Sequence, residues 1–245
     1  WDDPRMPTIA GLRRRGYTPE SLQLFAERIG VSKADSWIDY STLEGALRDT
    51  LDPVAPRAMA VLNPVKLTIT NWDEVMGAGT LDACQAPVHP HHPEQGYFRL
   101  FPPHTNPNTG EAKPGNKVRL KYGHIVECTG CTKDASGNVT EVLVSLIPDT
   151  KSGTPGADSV KVKGVIGWAG AEDGVPAEVR LYDRLFTEAQ PDAGGRDFLT
   201  ALNPDSLQIV QGWVEPSAVQ ASPESHFQFE RLGYFATGSH DHQPG

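Results

Sequence analysis

Apolar residues recur at helical spacing through the first quarter of the chain; from about residue 60 they fall in short β-branched and aromatic runs. In "TPESLQLFAERIG", Leu22, Phe25, Ala26 and Ile29 stand at i, i+3, i+4 and i+7, one stripe of a helix. Thr18 suits the N-cap, Pro19 the first helical position, and Glu20 the positive end of the dipole. Gly30 suits the residue that closes such a helix. A second helix is predicted over "STLEGALRDTL", where Ser41 and Glu44 form a capping box and Leu43, Leu47 and Leu51 the buried face. Pro53 and Pro56 end it.

Beyond residue 60 the runs are "VKLTIT", "NKVRLKYGHIVEC", "NVTEVLVSLI", "VKVKGVIGWAG", "AEVRLYDRLF", "SLQIVQGWV" and "HFQFERLGYFA", each bounded by Gly, Pro, Asn or Asp. "KDASGNV" between two of them predicts a hairpin turn. The pattern predicts a mainly β region of at least seven strands, suited to two small antiparallel β-barrels behind an N-terminal helical part. "PVHPHHPEQGYFRLFPPHTNPNTGEAKPGNK" and "IPDTKSGTPGADS" are too rich in Pro and Gly for regular structure and are predicted as loops, where binding residues tend to lie.

With 38% apolar residues, 8% of all residues being aromatic, the 245-residue chain has enough material for packed cores. No apolar run reaches a membrane span, and three cysteines give no disulfide framework, so a cytoplasmic protein without membrane contact is expected. The net charge of −9 argues against a polyanionic partner unless the local basic clusters "GLRRRGY", "NKVRLKYG", "VKVKG" and "VRLYDRLF" share one face. Cys84, His89, His91, His92 and the "CTGC" pair Cys128 and Cys131 are soft ligands of the kind zinc takes. Only one Cys-x-x-Cys pair is present, and in an extended strand its odd spacing turns the two thiols to opposite faces, so no metal site is expected.

No nucleophile elbow, Walker loop, dinucleotide fingerprint or zinc-protease motif occurs. The acid pairs Asp2 and Asp3, and Glu172 and Asp173, lack apolar surroundings and suit the surface, so no catalytic residue is expected in this chain. Arg13, Arg14 and Arg15, ahead of the first capped helix, offer bidentate forks to phosphate from a loop. Arginines interleaved with aromatics, as in "GYFRLF" and "QFERLGYF", are what unstacked RNA bases need for stacking and edge recognition. The same alternation marks any half-buried strand, so the residues alone leave both readings open.

A resemblance narrows the choice. "WDDPRMPTIAGLRRRGYTPESL", "TLEGALRDTLDPVAPRAMAVLNPVKLTITN", "VKVKGVI", "PAEVRLYDRLF", "LNPDSL" and "FQFERLGYFA" resemble, in order, the stretch that follows the ATP-site signature loop in glutaminyl-tRNA synthetases. The likeness covers most of the chain outside roughly 73–116 and the loops flanking the 160s. The opening block is also similar to archaeal and eukaryotic glutamyl-tRNA synthetases, while "RGYTPES" and "EVRLYDRLF" lean toward glutamine. The resemblance implies the tRNA-recognition portion of a glutamine–tRNA ligase, with a preceding catalytic domain that would use ATP, magnesium and glutamine. Its partner would be glutamine tRNA, and its usual form a monomer. It further implies a helical connecting subdomain over 1–56, a proximal anticodon-binding barrel from 57–66 and 172–245, and a distal barrel, 67–171, inserted into it.

Carried over motif by motif, Arg57 of "APRAM", Arg99 of "YFRL", Arg119 of "VRL", and Gln228 and Arg231 of "QFER" are the expected anticodon contacts. Lys121 stands where the family often has an arginine, a swap that loses the bidentate fork. Arg13, Arg14 and Arg15 are expected at the tRNA backbone or a domain junction. The chain departs from the family in a short segment before Gly96, a long one before Lys117, Gly167 where a histidine can stand, and an end at "DHQPG" short of a final strand. Two other classes remain on the residues alone: a free-standing β-barrel adaptor for proteins, and a zinc-bearing structural domain.

Overall fold

A computed structural model describes residues 1–242 except 93, 95–96, 102–103 and 108–112, and gives only the backbone for 97–101 and 104–107. Three helices open the chain. Helix α1, Ile9–Arg15, begins at Thr8, whose hydroxyl accepts the Gly11 N–H at 3.0 Å, and ends at Gly16, which takes a left-handed φ of +100°. Arg13, Arg14 and Arg15 therefore form the last turn of a helix and not the expected loop. Cations there complement the dipole, and Gly16 relieves the Cβ strain of the turn that follows. Helix α2, Pro19–Ile29, matches its predicted caps, with Thr18 and Ser21 bonding reciprocally. Helix α3, Tyr40–Leu51, starts earlier than predicted because the Asp39 carboxylate takes the Ser41 N–H at 2.8 Å, ahead of the Ser41–Glu44 box. The helices close on Leu12, Tyr17 and Leu43, with Leu22, Phe25 and Leu47 against them.

The remainder is mainly β. Strands β1 (Arg57–Ala58), β2 (Ala60–Leu62) and β3 (Lys66–Ile69) precede a short helix α4 (Trp72–Met76). Then come β4 (Asp82–Ala86), β5 (Tyr97–Phe101), β6 (His104–Pro107), β7 (Lys117–Leu120), β8 (Ile125–Lys133), β9 (Val139–Leu146), β10 (Gly164–Ile166) and β11 (Trp168–Gly170). Last are β12 (Val175–Tyr182), β13 (Leu207–Val214), helix α5 (Pro216–Val219), β14 (His226–Phe229) and β15 (Gly233–Ala236). All seven predicted runs carry strand, and the 133–139 turn joins β8 to β9. The predicted loop over 87–117 contains β5 and β6, a correction to the Pro-based expectation: β5 is held by a full ladder to β4, from Asp82↔Phe101 to Ala86↔Tyr97.

One seven-stranded sheet runs β10-β7-β8-β9-β3-β6-β11. Its two edges, β10 and β11, are halves of one run separated by Gly167 alone. A Cβ at Gly167 would press to 3.1 Å from Met59 Cε, so a larger residue there needs the buried Met59 to yield. Two three-stranded sheets, β1-β14-β15 and β12-β13-β2, each pair a strand that precedes this sheet with strands that follow it. The sheets are open and mixed: β1–β14, β3–β9 and β7–β10 are parallel, unlike the purely antiparallel pattern expected. Met59, Leu67, Leu120, Val126 and Trp168 centre the larger core; Ala58, Ala60, Val214, Phe227 and Phe229 the smaller.

A bulge alters the cysteine geometry. Cys128 faces Val144 and Cys131 faces Val142, because the register slips by one between Cys128 and Gly130. The odd spacing thus puts both cysteines on one face of β8, correcting the opposite-face expectation. Among the described residues no helix is long and apolar enough to cross a membrane.

Candidate nucleic-acid interface

The β14–β15 hairpin carries two of the expected residues. Gln228 lies opposite Tyr234 on β15 and beside Arg57 on β1. Arg231 occupies the three-residue turn after Phe229, exposed and with a left-handed φ of +67°, and no described residue pairs with its guanidinium. Arg57, by contrast, is spent within the fold. Its guanidinium donates to the Asp52 carboxylate at 2.9 Å and to the Ala55 carbonyl at 3.1 Å, and its side chain is 7% exposed. The Tyr234 hydroxyl donates to the same Asp52 oxygen at 2.9 Å. That bond, followed by the one from Arg57, holds the Asp52 carboxyl below the usual range; burial, then the Asp52 bond, pushes the Tyr234 phenol up. His89, buried, bonds the Asp52 carbonyl through Nε2 at 2.7 Å while its Nδ1 accepts the His91 N–H, so Nε2 carries the proton.

A second group gathers on the turn between β7 and β8. The Lys121 ammonium pairs with the Glu230 carboxylate, to which the Tyr122 hydroxyl also donates at 2.9 and 3.0 Å. The large sheet is thereby tied to the hairpin that bears Arg231. Two residues on, His124 Nε2 meets Asp82 at 2.8 Å, and Lys151 reaches the other Asp82 oxygen at 2.7 Å, which docks β4 on the same turn. Burial raises the Asp82 carboxyl, but the bonds from Lys151 and His124 outweigh it and the net shift is downward. Burial lowers His124, against the opposing pull of Asp82.

Arg119 points elsewhere. Its guanidinium donates to the carbonyls of Thr150 at 2.7 Å, Gly123 at 3.2 Å and Ala157, and to Ser152 Oγ, so it organises the 150–157 loop. Arg99 lies opposite Cys84 in the β4–β5 ladder; its side chain falls outside the described residues. Arg13 is forked on Glu224 at 3.0 and 2.9 Å, Arg14 reaches Asp2, and Arg15 donates to the Tyr182 carbonyl while lying over the Tyr40 and Tyr182 rings. The three arginines join α1 to the surrounding segments. The structure therefore brings Arg57, Lys121, Gln228 and Arg231 around one hairpin and directs Arg119 and the arginine run to intramolecular acceptors. Asp52, Tyr122, Glu230 and Tyr234, which bond these residues, are not marked by the motifs, although Glu230 lies inside "QFER" between the expected Gln228 and Arg231.

Two family models match the chain, both described as the anticodon-binding domain of class I tRNA synthetases (E and Q), one over residues 55–105 and the other over 165–237. Among curated proteins, a glutamine–tRNA ligase of Ralstonia nicotianae is 55% identical over 269 aligned positions, taking in 100% of this chain and 44% of its own length. That of Cupriavidus necator is 58% identical with 43% of its length covered, and that of Bordetella pertussis 54% identical, also with 43% covered. The chain thus spans less than half the length of the curated relatives it matches. The 269 positions exceed the chain's 245 residues, so these relatives carry segments it lacks.

Proposed function

From the premise that this chain belongs to the anticodon-binding domains of the class I tRNA synthetases for glutamate and glutamine, we propose that it reads the anticodon loop of a glutamine tRNA for a glutamine–tRNA ligase. The observation that carries the reading is that the two matched stretches contain Arg57, Arg99, Gln228 and Arg231. The relatives at 54–58% identity all bear the glutamine name, which supports glutamine over glutamate.

In this proposal residues 1–56 are a connecting helical subdomain, 57–66 with 172–245 a proximal barrel, and 67–171 a distal barrel inserted into it. What supports a distal barrel is the run 164–170, whose halves lie at opposite edges of one open sheet order. Unstacked bases expose edges that guanidinium and amide groups can bond. Arg231, with no intramolecular partner among the described residues, and Gln228 supply such groups; Arg57 reaches RNA by exchanging Asp52 for it, and Lys121 by sharing its charge with Glu230. Arg99 completes the set, Arg119 contributes by holding the 150–157 loop that takes up its guanidinium, and Arg13, Arg14 and Arg15 act at the junction more than on the tRNA backbone.

The ligase as a whole would couple glutamine to the tRNA end with ATP and magnesium. Among the described residues no group of three or more His, Cys, Asp and Glu could hold a metal ion, and no step of that chemistry is assigned to this chain. We place those steps in the length of the relatives that the chain does not span, with a cytoplasmic monomer as the working form. Chemical probing of glutamine tRNA tests the reading. The Watson–Crick edges of the anticodon bases are expected to become protected when the chain binds; protection confined to sites outside the anticodon loop overturns it.

A further inference from the structure

Two hairpin turns meet where the large sheet abuts β14–β15, and each holds a non-glycine residue in left-handed backbone. Tyr122 has φ +62° between β7 and β8, and Arg231 has φ +67° between β14 and β15. Side chains other than glycine are strained there, and folds keep such a residue only where surrounding contacts over-determine it. For Tyr122 one such contact is the Glu230 carboxylate, bonded by the phenol at 2.9 and 3.0 Å. Glu230 directly precedes Arg231, follows Gln228 by two residues, and its side chain is only 10% exposed.

The two partners of Glu230 do different things. Lys121 brings a point charge on a flexible stem, which neutralises the carboxylate without fixing its direction. Tyr122 brings a hydroxyl on a rigid ring, and the Lys121 ammonium lies 5.1 Å from the centre of that ring, closing the triangle. We infer that Tyr122 is a positioning residue for anticodon recognition: its hydroxyl locks Glu230, and through it fixes how Gln228 and Arg231 face the RNA. This rests on the proposed function. The lock acts on base discrimination and not on general attraction to phosphate, because Tyr122 carries no charge and Glu230 is already paired with Lys121.

Tyr122→Phe removes the hydroxyl and leaves the ring in place. Affinities for two stem-loops, one with a glutamine and one with a glutamate anticodon, are measured over a salt series, alongside amide exchange across 230–233. The expected result is that discrimination falls about tenfold, the loss of one hydrogen bond to a charged group. The salt slope is expected to stay unchanged and exchange in the turn to speed up. Equal loss of affinity for both loops, or unchanged discrimination in a wild type that discriminates, overturns the inference alone. A wild-type chain blind to the anticodon overturns the proposed function and this inference together.

Discussion

At the scale of single residues, two arginines from recognised motifs have opposite circumstances. Arg231 is exposed and has no intramolecular partner among the described residues, so Arg231→Ala is expected to leave stability within about 0.5 kcal/mol. It should cost about 1–3 kcal/mol in base discrimination. Arg57 is buried against Asp52 and Ala55, so Arg57→Ala is expected to lower stability by about 1–3 kcal/mol, measured by urea denaturation, besides any effect on RNA. A stable Arg57→Ala protein, or an Arg231→Ala protein with a shifted urea midpoint, would reverse these assignments. The motif made both residues legible; their environments were not, since a sequence displays a cation but not the acceptors that long-range folding brings to it. Arg119 illustrates the same gap: the carbonyls it binds lie up to 38 positions away.

At the scale of elements, legibility tracked how local the cause was. The caps of α2 and the β8–β9 turn are written within a few residues and are legible there, while the cap of α3 lies two residues ahead of the Ser41 that its motif marks. The strands β5 and β6 are hidden by the prolines of the surrounding sequence and by dependence on ladders to other strands. The bulge in β8 was equally invisible, because it is set by register against β9. The docking of β4 on the β7–β8 turn through Asp82, His124 and Lys151 has a pH signature. His124 titrates below its ordinary value of about 6.5 because it is buried, so the fold favours the neutral ring. Its contribution is full above the unfolded pKa and is lost as pH falls below it. Asp82, also lowered, loses its contribution as pH falls through its folded pKa, so both signs agree. Urea midpoints are expected to drop between pH 7.5 and 5 more in the wild type than in His124→Gln; equal drops would remove the cluster from the account.

At the scale of the whole molecule, an acidic chain of net charge −9 is asked to meet a polyanion. Four of the eight candidate cations are already paired with acids of their own fold, Arg13 with Glu224, Arg14 with Asp2, Arg57 with Asp52 and Lys121 with Glu230. Binding is therefore expected to lean on base contacts at the β14–β15 hairpin, with a shallower dependence on salt than the number of candidate cations implies, since those paired with acids displace fewer counterions. The measurement that bears most directly on the central claim is the ratio of affinities for stem-loops carrying a glutamine and a glutamate anticodon, at one fixed ionic strength. The account predicts a preference for the glutamine loop of about tenfold or more, from at least one base contact. Equal affinity for the two loops, or preference for the glutamate loop, would contradict it.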